Sequence, residues 1–230
     1  YIACGKNDPA QIEAIVKGVA DGCRQAGAAI VGGETAEMPG FYKEGEYDIA
    51  GFAVGAAEKE DLINPDNTKA GQAVIGIPST GFHSNGFSLI RKVLKDENIS
   101  LNDEFNGETI GEALLRPTRI YAKEVKTLLE NVKVAGISHI TGGGFIENLP
   151  RALKKGLGMK IYRDSYEVPE IFKFIEEEGK IDHDEMYQVF NMGVGLAVIV
   201  DDADKEKVLE LIDDAFILGE VTDQEGIVLL

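Results

Sequence analysis

Apolar residues recur at helical spacing in several segments of the chain. In the first of these, Asp8 and Pro9 are typical of a helix start and Gly27 is typical of a helix end. Between them the apolar side chains fall on one helical face, at Ile12, Ile15, Val19 and Cys23. The same criteria predict further helices over residues 86–97, from Pro117 onwards, and over residues 145–155, 168–178 and 204–215.

Short apolar runs predict the strands, at residues 28–31, 47–57, 73–78, 134–140, 159–162, 191–200, 216–221 and 226–230. We expect the first two to form an antiparallel pair, and residues 98–111 to form a surface excursion. Helices and strands mix without strict β-α-β alternation. This order predicts an α+β chain with α/β/α layers around a mixed sheet, and it disfavours a Rossmann unit.

A polar stretch divides the chain into two predicted domains. Residues 59–71 carry Asn-Pro and Ala-Gly turn signals, so we place a linker there, between domains at 1–58 and 72–230. The sequence begins with Tyr1, and its first residues resemble the end of a strand. We therefore expect the N-terminal domain to be partial, with upstream residues absent from this chain.

Three glycine-rich polar loops follow apolar runs, at residues 31–40, 80–86 and 138–145. In the first, Gly32 and Gly33 let the backbone approach a ligand closely, because no Cβ stands in the way. Glu34 and Glu37 then lie within reach of a cation that carries phosphates. Taken alone, these two carboxylates are better explained as solvated loop charges.

The three histidines favour a functional interpretation of these loops. His83 lies in Gly-Phe-His-Ser-Asn-Gly, His139 precedes Thr-Gly-Gly-Gly, and His183 stands in a carboxylate-rich stretch. A zinc site made of the three is an alternative, although no local spacing matches a familiar metal pattern. The triple glycine by itself is also compatible with a simple helix-entry turn.

Common catalytic signatures are missing from the chain. Neither the phosphate-binding pattern G-x-x-x-x-G-K-[ST] nor the dinucleotide pattern G-x-G-x-x-G occurs. A serine nucleophile activated by histidine is also unsupported, because Ser84 directly follows His83 and no nucleophile elbow is present. A nucleotide site in this chain must be of another kind.

Charge and composition narrow the range of partners. The formal net charge is −17, which argues against nucleic acid and against an anionic membrane surface. No apolar run approaches the roughly 20 residues that a membrane helix needs, and the N-terminus has no signal-peptide pattern. Two cysteines fit a reducing compartment. We expect a cytoplasmic protein with a small-molecule substrate.

Six segments together resemble one family, the aminoimidazole ribonucleotide (AIR) synthetases, or phosphoribosylformylglycinamidine cyclo-ligases. The segments are GGETAEMPGFY (32–42), YDIAGFAVG (47–55), STGFHSNGFSLIRKVL (79–94), LLRPTRIYAK (114–123), SHITGGGFIENLPR (138–151) and HDEMYQVFNMGVG (183–195). They span the chain in order. The resemblance implies two α+β domains, a homodimer formed through the N-terminal, ATP-binding domain, and purine biosynthesis as the setting. The family's N-terminal lysine and aspartate motifs are absent here, so we expect this chain alone to be inactive.

The resemblance also implies a reaction: ATP phosphorylates the formyl amide oxygen of formylglycinamidine ribonucleotide, the amidine nitrogen attacks, and phosphate leaves as the imidazole ring of AIR closes. On this basis Glu34 would bind Mg²⁺ and ATP in the loop of Gly32 and Gly33, with Glu37 supporting it. The substrate or nucleotide cleft would be lined by His83, Ser84 and Asn85. A phosphate group, most simply the 5′-phosphate of the ribotide, would lie at Thr141, Gly142, Gly143 and Gly144.

His139 and His183 would neutralise, or donate protons to, the reacting groups, so that all three histidines are candidate catalytic residues. Two other readings stay open. One is a different ATP-dependent enzyme of the same superfamily, similar to selenophosphate synthetase or thiamine-phosphate kinase. The other is a non-catalytic fragment that binds a phosphorylated ligand.

Overall fold

A computed structural model describes all 230 residues, Tyr1–Leu230. The chain forms two compact units: Tyr1–Leu62 with Ile120–Lys123, and Ile63–Arg119 with Glu124–Leu230. In chain order the strands are β1 (Ile2–Cys4), β2 (Thr35–Glu37), β3 (Tyr47–Ile49), β4 (Ala73–Pro78), β5 (Glu104–Phe105), β6 (Glu108–Thr109), β7 (Val134–His139), β8 (Gly158–Ile161), β9 (Val194–Val200), β10 (Phe216–Thr222) and β11 (Gly226–Leu229). The helices are α1 (Pro9–Ala26), α2 (Phe87–Asp96), α3 (Ile110–Leu114), α4 (Ala122–Asn131), α5 (Gly144–Asn148), α6 (Glu170–Gly179), α7 (His183–Val189) and α8 (Lys205–Leu211).

The first unit contains a three-stranded sheet with β1 in the centre. β1 pairs in parallel with β2 and antiparallel with β3, and its three residues are buried. Helix α1 follows, and its ends match the prediction. The Asp8 carboxylate accepts the N–H of Ala10, while Gly27 ends the helix in the left-handed region at φ 70°.

The two strands predicted for residues 28–57 are wrong in position and pairing. Residues 28–34 form no strand, and the strand in this region is β2, whose partner is β1. Of residues 47–57 only β3 is a strand, and it also pairs with β1. The prediction relied on the apolar composition of this stretch, but its side chains are exposed: Val31 is 97% and Phe52 is 94% accessible.

The second unit is organised on a six-stranded mixed sheet with the order β11-β8-β10-β4-β9-β7. Only β11 and β8 run parallel, and every other neighbouring pair is antiparallel. Strand β9 is buried along its whole length. Its uninterrupted apolar sequence suits a central strand whose two faces are both covered.

Helices cover both faces of this sheet. On one face Ala197 and Ile199 of β9 belong to a large core with residues of α2, α3, α5, α6 and α7. Val198 and Val200 point the other way and are just as buried. On that side α8 packs against β4. The α+β prediction with a mixed, layered sheet is therefore confirmed.

Three predicted segments differ from the structure in extent. The helix expected from Pro117 begins only at α4, because residues 117–121 are held in an irregular segment where the Thr80 hydroxyl donates to the Pro117 carbonyl at 2.6 Å. Residues 98–111 are not only a surface excursion, since they form the β5–β6 hairpin and reach the buried Ile110 of α3. The helix expected over 145–155 is divided between α5 and a 3₁₀ turn, Leu149–Ala152, because Pro150 interrupts the α-helical hydrogen bonds.

None of the helices has both the length and the apolarity needed to cross a membrane.

Candidate active site

Two predicted loops of the second unit meet at one edge of the six-stranded sheet. β4 and β7 are both antiparallel to β9, which lies between them, so their carboxyl ends reach the same edge. The loop after β4 carries His83, and β7 ends at His139. The two imidazole centroids are 6.3 Å apart. The loops also touch further on, because Asn85 Oδ1 lies 3.6 Å from the place that a Cβ on Gly142 would occupy.

His83 is buried and held in a left-handed backbone conformation at φ 58°. Its Nε2 accepts the backbone N–H groups of Thr80, at 3.2 Å, and Arg119, at 3.4 Å. Burial lowers the pKa of His83 to about 4, and the nearby His139 and Arg119 add to the decrease. The imidazole is therefore neutral near pH 7. Because Nε2 accepts, its proton is on Nδ1.

Asn191 fixes the beginning of the His83 loop. Its amide donates to the Gly81 carbonyl at 2.9 Å, and its Oδ1 lies 3.0 Å from the Ser79 hydroxyl and 2.9 Å from the Gly193 amide nitrogen. All of this side chain's polar atoms are thus used inside the protein, at a residue that is 2% exposed. Sequence reasoning did not single out Asn191 as a site residue, although it lies in a quoted segment.

Asn148 has the same role for the triple-glycine loop. From the end of α5 its amide nitrogen lies 2.7 Å from the Gly144 carbonyl, and also within 3.3 Å of the carbonyls of Thr141 and Gly142. Its Oδ1 accepts the Thr141 hydroxyl at 3.2 Å. The loop is therefore shaped by a buried side chain, which the sequence analysis did not identify as functional.

The three glycines differ in their surroundings. Gly144 is buried against the backbone of Tyr187, so a Cβ there would collide with the Tyr187 carbonyl. The Glu147 side chain lies directly against Gly143. Gly142 is exposed and has only Asn85 nearby, which makes it the glycine that a ligand approaches most easily.

A cleft of about 600 Å³ opens beside His83. Ser84 and Asn85 line it. Arg91 and Arg116 line it as well, and neither was predicted as a site residue. Across the cleft mouth the hydroxyls of Ser84 and Thr118 are 3.5 Å apart.

His139 and His183 are in different settings. Partial desolvation lowers the pKa of His139, whose ring faces His83. His183 lies in the first turn of α7, where Nδ1 is 2.8 Å from Glu176 Oε1 and the ring packs edge-on against Tyr187. His183 is not among the residues that line the cleft. The structure therefore brings together two of the three histidines.

The remaining predicted residues lie in the first unit. Gly32 and Gly33 have open space around them, since a Cβ at either would meet no atom within 4 Å. Glu34 is exposed, whereas Glu37 accepts the backbone N–H of Asn7 at 2.8 Å. No group of three or more His, Cys, Asp or Glu side chains forms a metal cage in the chain. A zinc site made of the three histidines is therefore not supported.

The architecture places this chain among two-domain α+β proteins with a mixed sheet in the second unit. Family models agree with this class. Residues 1–57 match the N-terminal domain of AIR synthase related proteins, and residues 69–230 match the C-terminal domain.

Curated relatives give a narrower assignment. Phosphoribosylformylglycinamidine cyclo-ligase of Oceanobacillus iheyensis is 52% identical over 99% of this chain and 68% of its own length. The enzyme of the same name from Caldanaerobacter subterraneus is 51% identical over the full chain and 70% of its own length. The chain belongs to the AIR synthase related family and, within it, to the phosphoribosylformylglycinamidine cyclo-ligases.

Solved structures share the fold at much lower identity. E. coli HypE, a hydrogenase maturation protein, superposes with a TM-score of 0.67 at 21% identity, covering 99% of this chain and 67% of HypE. Thiamine-monophosphate kinase from Stenotrophomonas maltophilia gives the same TM-score at 15% identity, covering 99% of this chain and 70% of the kinase. These likenesses concern the fold alone.

Proposed function

We propose that the protein catalyses the ATP-dependent cyclisation of formylglycinamidine ribonucleotide to aminoimidazole ribonucleotide, a ligase step of de novo purine biosynthesis. The observation that carries the proposal is the junction of the His83 loop with the triple-glycine loop, in a chain about 50% identical to named cyclo-ligases. Both loops are among the segments by which the sequence resembles that family.

The chemistry asks the protein to hold a triphosphate and an amide oxygen in line and to balance the negative charge. ATP supplies the phosphoryl group that turns the formyl amide oxygen into a leaving group. Ring closure then forms one C–N bond from the amidine nitrogen, breaks the C–O bond and releases phosphate and a proton. We assign Ser84 and Asn85 to contacts with the reacting phosphate, and the loop Thr141–Gly144 to contacts with the amide group.

The histidines have separate parts in this proposal. Because the Nε2 of His83 accepts two backbone N–H groups, His83 cannot serve as a base through that atom, but its Nδ1–H is a donor held in a fixed direction. His139 and His183 are the candidates for neutralising, or donating to, the reacting groups. We place His139 nearer to them, because it faces His83 at the junction of the loops.

Within the first unit, we assign Gly32, Gly33 and Glu34 to contacts with the nucleotide. Mg²⁺ is commonly held by one or two carboxylates together with phosphate oxygens and water, so an exposed single carboxylate at Glu34 suits it without an all-protein cage. Glu37 supports the same loop, because its carboxylate binds the Asn7 amide.

We further propose that the protein is a cytoplasmic homodimer that pairs through the first unit. This unit exposes a set of large apolar side chains: Val31 (97%), Phe52 (94%), Val54 (86%) and Phe41 (83%). Apolar side chains exposed to this extent mark an interaction surface. A second copy of the chain is the partner that the family resemblance implies.

The function is tested on the complete gene product, by ADP release from Mg·ATP with formylglycinamidine ribonucleotide, next to a control without substrate. Substrate-dependent ADP, with aminoimidazole ribonucleotide as the product, supports the proposal. A folded dimer that binds ATP but shows no stimulation contradicts it. Thiamine phosphate and selenide, tried as acceptors in the same assay, would then identify a different phosphoryl-transfer enzyme of this fold.

A further inference from the structure

The cleft beside His83 has a cationic lining in a strongly acidic protein. Arg91 and Arg116 are the charged side chains that line it, and His83 is neutral. No aspartate or glutamate lines it. The whole chain carries a formal charge of −17. A local concentration of arginine against that background favours an anionic ligand.

Arg91 is available to such a ligand. It forms no ion pair within 4 Å, and its guanidinium lies 5.9 Å from the ring centroid of Phe87, which holds it over the helix surface. Arg116 pairs with Glu108 and remains half exposed. A ligand that offers two or more anionic oxygens can therefore bind Arg91 and share Arg116 with its carboxylate.

The amino end of α2 points into the same cleft. Gly86 precedes this ten-residue helix, and the first turn contains no acidic residue. Phe87, Ser88 and Arg91 all line the cleft, because residues three and four apart share one helical face. The first N–H groups of a helix have no acceptor within it, and the helix dipole favours an anion at that end.

We propose that this cleft, through Arg91, Arg116 and the first turn of α2, binds the 5′-phosphate of the ribotide substrate. The inference rests on the proposed function for the identity of the ligand. A phosphate monoester supplies the charge and oxygens that two guanidinium groups, helix N–H groups and the hydroxyl of Thr118 can bind together.

The arginine cleft suits this phosphate better than the triple-glycine loop does. At that loop the Gly144 N–H is already donated to the Thr141 carbonyl at 3.1 Å, and the carboxylate of Glu147 lies against Gly143. A nearby carboxylate repels a phosphate dianion. The glycine loop is thus left for the reacting end of the substrate, next to His83 and His139.

Arg91→Gln and Arg116→Gln test the proposal, with Lys95→Gln as the matched control. Lys95 is an exposed cation on the same helix outside the cleft, so its loss changes the net charge equally. Each arginine variant should raise the KM for formylglycinamidine ribonucleotide roughly 10- to 100-fold, the usual effect of losing one charged hydrogen-bonding group. Values of kcat and of KM for ATP should stay within about twofold. The control should match the wild type.

Substrate without its phosphate makes the test specific. The corresponding ribonucleoside should react poorly, and equally poorly, with the wild type and with Arg91→Gln. If Arg91→Gln impairs nucleoside and nucleotide by the same factor, or neither of them, the proposed phosphate site is refuted. Arg91→Lys, which keeps the charge, should recover part of the affinity and covers the case of a misfolded glutamine variant.

Direct binding separates this inference from the proposed reaction. Ribose 5-phosphate should bind the wild-type protein and the Lys95→Gln control, and should bind Arg91→Gln at least tenfold more weakly. That result supports the phosphate site even if the cyclisation assay fails. Equal affinity for all three proteins overturns the site even if the cyclisation assay succeeds.

Discussion

His83 and His139 face each other across two loops that are separated by more than fifty residues of sequence, with their ring centroids 6.3 Å apart. Two imidazolium cations at this distance would repel each other in a partly desolvated site. The pKa of both rings is lowered, that of His83 to about 4. The site is therefore built for two neutral imidazoles near pH 7.

This arrangement predicts that acid destabilises the fold in a defined pH range. The folded-state pKa of His83 lies below its ordinary value of about 6.5, so the unfolded chain binds the proton more readily. The contribution to stability is complete above pH 6.5 and is lost as the pH falls from 6.5 to 4. One pKa unit corresponds to about 1.4 kcal/mol, so the loss reaches roughly 3 kcal/mol. Urea unfolding at several pH values measures it.

His83→Asn is the matched variant for this measurement, because asparagine tolerates the left-handed backbone of position 83 and does not titrate in this range. The free energy of unfolding of this variant should depend less on pH between 6.5 and 4 than that of the wild type. Identical pH profiles would show that His83 titrates normally and contradict the neutral pair.

Replacing Asn148 should loosen the triple-glycine loop. Asn148→Ala removes the amide donor from the carbonyls of Thr141 and Gly142, which are partly buried, and from that of Gly144, which is buried. Unsatisfied buried polar groups cost about 1–3 kcal/mol each, so we expect a loss of roughly 2–4 kcal/mol in the free energy of unfolding. Chemical denaturation measures this loss. Asn131→Ala, which removes an exposed asparagine bonded to the Thr127 carbonyl, serves as control and should cost under 1 kcal/mol. Equal effects of the two variants would refute the organising role of Asn148.

Glu34→Gln should reduce turnover without unfolding the protein. The carboxylate of Glu34 is exposed, so little stability depends on it. If it holds Mg²⁺ with the nucleotide, its loss should weaken the response to Mg²⁺ roughly 10- to 100-fold at unchanged melting temperature. Titration of activity with Mg²⁺ measures this. The control is Glu60→Gln, an exposed carboxylate of the same unit, in the turn Lys59–Asp61. A wild-type rate for Glu34→Gln removes Glu34 from the site.

A charge on the exposed apolar surface of the first unit should separate the proposed dimer. Phe52 is 94% accessible in the single chain, so Phe52→Glu disturbs no intrachain packing. In a homodimer that buries this surface, an uncompensated carboxylate costs several kcal/mol. Sedimentation should therefore show a monomer for Phe52→Glu and a dimer for the wild type. Leu101→Glu, at a half-exposed position of the second unit, should remain dimeric. A dimeric Phe52→Glu contradicts pairing through this surface.

The central strands of the second unit were predictable, and the sheet of the first was not. β4 and β9 are apolar runs whose burial on both faces leaves little choice of structure. β2, in contrast, has the sequence Thr-Ala-Glu and is a strand only because β1, about thirty residues earlier, supplies its hydrogen-bonding partner. A local pattern holds no information about such a partner.

The loops of the candidate site were predictable from the sequence, but the strand arrangement and the side chains that position these loops were not. Glycine-rich stretches and histidines identified the loops of His83 and His139, yet their contact depends on β4 and β7 flanking β9, which the chain order does not reveal. Asn148 carried a usable signal, since an asparagine near a helix end often bonds to nearby backbone groups. Arg91 carried none, because an arginine on an amphipathic helix reads as an ordinary solvated side chain.

Arg119 connects His83, which lines the cleft, with residues of the second unit that are distant in sequence. Its backbone N–H binds His83, while its side chain binds Asp214, with Nη1 2.6 Å from Oδ2, as well as Glu124 and the carbonyl of Pro78. The tautomer and direction of His83 are thus fixed during folding, before any ligand arrives. Little conformational entropy remains to be lost when a substrate binds. Asp214, far along the chain from either loop, thus supports the position of His83 through Arg119.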